Sequence, residues 1–160
     1  MTSTTRYILI GAGLVLAQWV VLQHLGIWGA TPDVVLLFLA WLALRVSRRT
    51  AALSGFALGF ALDIAYGTWG MHALVKTITG FLLGSVTLSD DRDAVLIQPN
   101  QAFLGGFLLT LMHNGLLVIL LALQAQTSNT FLVNALWLGS SLYTAVIATL
   151  VVWLAPRDTR

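Results

Sequence analysis

Apolar residues in this chain gather into six runs separated by short polar breaks, at about residues 7–25, 33–46, 51–66, 71–88, 102–123 and 131–154. A helix that crosses a bilayer upright needs about 20 predominantly apolar residues. The first, fifth and sixth runs reach that length, and the fourth nearly does. The second and third are short. They fit a bilayer by thinning it locally, by snorkelling of the flanking arginines, or as a partly re-entrant hairpin that would leave five spans. The pattern predicts an all-α integral membrane protein, one domain over residues 1–160 and a six-helix transmembrane bundle. The first run reads as a mature helix rather than a cleaved signal, because Leu25-Gly26-Ile27-Trp28 is not a small-x-small site.

Composition sharpens this. Hydrophobic residues are 58% and charged residues 9% of 160, against about 45–50% and about 25% in soluble domains. A water-soluble globule lacks the charges to cover itself, and a disordered chain would be poorer in apolar residues. There is no cysteine, which excludes disulfides, thiolate nucleophiles and cysteine-bound metals. Net charge is +2, but seven of the eight basic residues sit in breaks between runs rather than on a groove-binding stripe, so nucleic acid is not expected.

Those breaks set the topology. Arg6, then Arg45, Arg48 and Arg49, then Arg92, then Arg157 and Arg160 fall on one side of the membrane; the connections 26–32, 67–70 and 124–130 hold no Lys or Arg. The positive-inside rule puts both termini in the cytoplasm. Trp28, Trp69 and Trp153 lie near the expected interfaces, while Trp19, Trp41 and Trp137 lie deeper and read as packing.

The chemistry-bearing positions cluster mid-chain. Four-residue spacing aligns Gly55, Gly59 and Asp63 on one face of the third helix, and His72, Lys76, Gly80 and Gly84 on one face of the fourth. Small residues at this spacing let helix backbones approach closely in lipid. Gly67 and Gly70 bracket a tight turn, so the two helices are antiparallel neighbours. Asp63 falls about 6 Å below that turn and Lys76 about 9 Å, at 1.5 Å per residue. An Asp63–Lys76 ion pair with His72 as second partner is therefore expected, since an unpaired charge in a span costs about 2.5–3.5 kcal/mol. Thr31-Pro32-Asp33 reads as a helix start, with Thr31 as cap and Asp33 facing the positive end of the dipole. His113-Asn114 reads as an interhelical hydrogen-bonding pair, His24 as a surface histidine, and Asn134, Ser140, Ser141 and Tyr143 as packing or hydrogen-bonding groups.

Catalysis finds little support. Asp63 follows Phe-Ala-Leu rather than Gly-x-Gly and has no second core aspartate for an aspartyl-protease site. Leu53-Ser54-Gly55 is not a Gly-x-Ser-Gly serine site. Three scattered histidines make no metal cluster, and no Gly-x-x-x-x-Gly-Lys-Ser/Thr phosphate loop is present. No enzyme, cofactor or metal is expected.

The stretch 31–84 resembles the MreD family of bacterial rod shape-determining membrane proteins. The resemblance rests on Pro32-Asp33 opening a Leu/Val-rich helix, the basic turn Arg45–Arg49, Gly55-x-x-x-Gly59-x-x-x-Asp63, and Gly67 and Gly70 before His72-Ala73-Leu74. It implies a fold similar to the substrate-binding S components of energy-coupling-factor transporters. It also implies a non-enzymatic scaffold of the rod complex, or elongasome, in the inner membrane. Such a scaffold binds MreC and helps direct lateral peptidoglycan synthesis and rod cell shape. Its wider assembly includes the MreB filament, a SEDS-family glycan polymerase and a class B penicillin-binding transpeptidase. Asp33, Gly55, Gly59, Asp63, Gly67, Gly70, His72, Lys76, Gly80 and Gly84 are the motif positions carried over as structural or partner-binding residues. Membrane lipid is the surrounding solvent, and pairing with a second copy stays open. Two other readings remain: a substrate-binding subunit of a vitamin transporter, and a small proton or ion channel dependent on Asp63.

Overall fold

The computed structural model describes residues 3–86, 98–123 and 133–154. Arg92, Arg157, Arg160 and the acidic loop Asp90–Asp93 lie outside them, so the expectations placed on those residues are not addressed. Six α-helices and no strand are present among the described residues: α1 (Ser3–Val20), α2 (Val34–Ala43), α3 (Arg48–Tyr66), α4 (Met71–Val86), α5 (Pro99–Leu123) and α6 (Ser140–Leu154). A 3₁₀ turn, Leu22–Leu25, follows α1, and a π-helical turn, Ala135–Gly139, leads into α6. The first expected run is thus a helix that starts earlier and ends earlier, with its last turn tightened. Pro99–Leu123 and Ala135–Leu154 are each long and apolar enough to cross a membrane.

α2 has ten residues, about 15 Å of helix, half the roughly 30 Å of a bilayer's hydrocarbon. Its sequence, VVLLFLAWLA, is apolar all round, and six of its residues are buried. A helix of that composition belongs in the interior. It packs against α1, α3, α4 and α6. The N-cap is Asp33, whose carboxylate accepts from the Leu36 N–H at 2.7 Å. The expected cap, Thr31, lies two residues too early, because Pro32 and Asp33 are still outside the helix.

α3 and α4 form the tightest pair in the fold. Ser47 caps α3, accepting from the Thr50 N–H, and Gly67 ends it with φ +70°. Gly70 has φ +86°. Both glycines occupy the left-handed region that other residues avoid, and this reverses the chain within four residues. The glycine faces then meet as the spacing predicts. A Cβ at Gly55 would overlap the Lys76 carbonyl, and one at Gly59 the backbone of His72 and Ala73. A Cβ at Gly80 would come within 2.5 Å of the Ala51 carbonyl oxygen, and one at Gly84 within 2.8 Å of the Arg48 Cα. α5 and α6 make the second close pair, with Gly106 against Ala145 and Ala148.

Polarity is inverted relative to a soluble domain. Gln18, Asp63, Lys76, Thr79, Thr110, His113, Asn114, Ser140, Ser141 and Thr144 are buried, while Leu53, Phe56, Phe60, Ile64, Leu104, Leu108 and Ile119 point outward. Apolar solvent favours that arrangement, because these inward polar residues find hydrogen-bond partners in one another or in backbone and the outward groups need none. Trp28 and Trp69 project from two of the three connections that carry no basic residue and are 84% and 97% exposed.

A buried polar seam at the start of α2

Between the 3₁₀ turn and α2 the chain runs without helix past Thr31, Pro32 and Asp33. Its backbone groups need partners from elsewhere, because non-helical backbone at membrane depth survives only when buried in protein or lining water. Side chains of α1 and α6 supply them. Gln18 Nε2 donates to the Pro32 carbonyl at 2.7 Å, and its Oε1 accepts from the Val34 N–H at 3.0 Å. Ser140 Oγ accepts from the Thr31 N–H at 3.1 Å, and Thr144 Oγ1 from the Asp33 N–H at 3.0 Å. Pro32 has no N–H to satisfy.

The Asp33 side chain carries the charge of this region. Lys76 Nζ lies 2.5 Å from its Oδ2, and the lysine side chain is completely buried. This corrects the expected Asp63–Lys76 pair: Lys76 reaches across to the N-cap of α2, not back to α3. The same Nζ is 3.4 Å from His113 Nε2, and His113 Nδ1 is 3.1 Å from Asn114 Oδ1. Asn114 Nδ2 donates to the Leu136 carbonyl in the π turn at 2.9 Å. The ammonium is a donor only, so His113 accepts at Nε2 and donates from Nδ1. His113-Asn114 is an interhelical pair, as the sequence suggested. One chain of contacts thus runs from α2 through α4 and α5 to the turn before α6.

Asp63 has a different task. Its Oδ1 accepts from the Thr68 hydroxyl at 2.6 Å and the His72 N–H at 3.0 Å, and its Oδ2 accepts from the Ala73 N–H at 2.8 Å. Its carbonyl also accepts from the Gly67 and Thr68 N–H groups. The carboxylate sits on the first turn of α4, where unpaired amides and the helix dipole favour a negative charge. The depth estimate was sound in placing Asp63 near the turn. At that depth, though, the amides of His72 and Ala73 are nearer than the lysine further along α4.

His72 faces a small cavity of about 240 Å³ lined by Gln18, Thr31, Asp33, Tyr66, Asn114 and Ser140 among others. Its ring lies 5.6 Å from that of Tyr66, and its Nδ1 is buried without a hydrogen-bond partner among the described residues. The expected His72 contact with the Asp63 carboxylate is made by its backbone N–H, not by its ring. His24 is a surface residue with Nδ1 against the Val20 carbonyl.

Sequence reasoning missed Gln18 and Thr144 entirely, and it did not connect Asp33 to Lys76. A glutamine within an apolar run was the available signal, since a buried amide in lipid must have partners. Among the described residues no group of three or more His, Cys, Asp or Glu is placed to hold a metal.

Fold and seam together define an all-helical protein with apolar outer faces, in which Asp33, Asp63 and Lys76 hold helices together. The particular family follows from comparison: the chain matches rod shape-determining protein MreD over residues 3–155 and belongs to that family. It is thus a member of a membrane protein family with a role in rod shape determination, a role exercised with protein partners of that system. No curated protein and no solved structure matches it.

Proposed function

We propose that this chain is a non-enzymatic scaffold of the rod complex. It would span the inner membrane six times with both termini in the cytoplasm, bind MreC, and help direct lateral peptidoglycan synthesis. MreB, a SEDS-family polymerase and a class B penicillin-binding transpeptidase would be met within the same assembly. The observation that carries this reading is the family match over almost the whole chain. The seam supports it: Asp33, Lys76, Asp63, His113 and Asn114 are engaged with one another or with backbone, which suits a rigid binding partner better than a catalyst or an ion path. The cavity beside His72 is the contact we assign to MreC. It lies on the side of the turns bearing Trp28 and Trp69, the periplasmic side in this orientation, and His72 Nδ1 offers an unused polar atom there.

The cavity also favours one other occupant, a small vitamin-like molecule, as in a transporter S component. Affinity purification of the tagged protein in mild detergent, with mass spectrometry of proteins and small molecules, separates the two. Recovery of MreC, reduced by His72→Phe at unchanged stability, supports the scaffold. A stoichiometric small ligand or an ATP-binding transport module, with no wall-synthesis partner, would replace it with the transporter reading.

A further inference from the structure

On the other side of the seam the bundle is open. A groove of about 730 Å³ runs between α1 and α2 on one side and α5 and α6 on the other. Its walls are apolar, and Ala102, Gly105, Gly106 and Ala148 keep its floor low. Along α1 it extends from Arg6 to Leu14 and along α2 from Leu44 to Val34, about 12 and 15 Å at 1.5 Å per residue. That is one leaflet's share of the roughly 30 Å hydrocarbon core. The groove then stops where Gln18 and Thr144 hydrogen-bond the backbone around the start of α2. A transmembrane helix of about 30 Å would find a complementary surface for only half its length, whereas acyl chains from one leaflet fit it end to end. The volume lies within the range of about 300–1,000 Å³ typical of small-ligand sites.

The polar end is basic. Arg6 lines the mouth. Arg45 stacks over the ring of Trp41, itself a groove residue, at 4.5 Å, and its Nε is buried without a hydrogen-bond partner among the described residues. Among the described residues the one ion pair is Lys76–Asp33, so no described carboxylate neutralises either arginine. Guanidinium groups bind phosphate through paired N–H donors. We propose that this groove holds one anionic phospholipid from the leaflet on the Arg6 side, with its chains between α2 and α5 and its phosphate at Arg6 and Arg45. The bound lipid would fill the part of the bundle that the helices leave unpacked.

Native mass spectrometry of the full chain, titrated first with phosphatidylglycerol and then with phosphatidylcholine of the same acyl chains, tests this. The expected result is one retained phosphatidylglycerol per chain, favoured about fivefold per engaged arginine. Arg6→Gln should lower that preference about fivefold. Gly105→Leu should reduce retention of both lipids, because a Cβ at Gly105 meets nothing within 4 Å and the longer side chain enters the groove without disturbing the helices. Its unchanged melting curve is the control for folding. Equal retention of the two lipids that is indifferent to Arg6→Gln would overturn the proposal. So would a chain dimer that Gly105→Leu dissolves, which would make the groove a subunit interface. The measurement needs no other protein, so its failure would leave the MreC contact to its own test.

Discussion

The two ends of the space between α2 and α6 differ in what closes them. Near the N-terminus of α6, Ser140 and Thr144 hydrogen-bond the backbone ahead of α2, and the helices meet. Toward its C-terminus, Ile147, Val151 and Val152 face Leu37 and Trp41 across an open groove. In water the apolar end would close first. In lipid, apolar side chains gain little by touching one another rather than acyl chains, so association depends on close backbone contact and on polar groups seeking partners. The α3–α4 pair shows the other device, with glycines at 55, 59, 80 and 84 bringing backbones together. The closest backbone approaches here are made at small residues and the cross-links at polar ones, whereas apolar side chains line the gap that stays open between α2 and α6.

Substitutions that attack the polar end should have the largest effect. Lys76→Met leaves the Asp33 carboxylate partly buried and unpaired, and should cost about 3–5 kcal/mol of stability in detergent unfolding. Asp33→Asn, which retains a good cap, should cost a similar amount through the stranded ammonium. Gly59→Leu comes next. Its Cβ has no room beside His72 and Ala73, so the α3–α4 pair must separate, at about 3 kcal/mol or more, and rod shape and partner recovery should be lost in complementation.

How much of this was legible varied with distance along the chain. The α3–α4 contacts are local, and the repeat of Gly55, Gly59, Gly80 and Gly84 with a turn at Gly67–Gly70 announced them. The helix runs were legible because lipid demands long apolar segments. The Asp33–Lys76 pair joins residues 43 apart in sequence, and periodicity carries no information at that range. Asp63 was the nearer carboxylate in sequence, but it was already claimed by the amides of α4. Gln18 and Thr144 are single polar residues whose partner is backbone, and backbone leaves no mark in the sequence.

Smaller effects should follow the same order. Asp63→Ala removes three accepted hydrogen bonds at the α4 start and should cost about 2 kcal/mol, read by unfolding and by earlier hydrogen exchange at His72 and Ala73. Ser140→Ala with Thr144→Ala removes two neutral interhelical bonds and should cost about 1 kcal/mol in total. Gly105→Leu at the open end should change stability by no more than about 0.5 kcal/mol, which makes it the counterpart of Gly59→Leu: the same substitution in a closed and in an open contact.

The most direct test is a pair of double-mutant cycles that share Lys76→Met, one with Asp33→Asn and one with Asp63→Asn, read as unfolding free energies in mixed micelles. The structure predicts a coupling of about 2 kcal/mol or more for Asp33 with Lys76 and near-additive effects for Asp63 with Lys76. Coupling in the Asp63 cycle with additivity in the Asp33 cycle would contradict it, and would return the lysine to the hairpin and leave the seam without its charged centre.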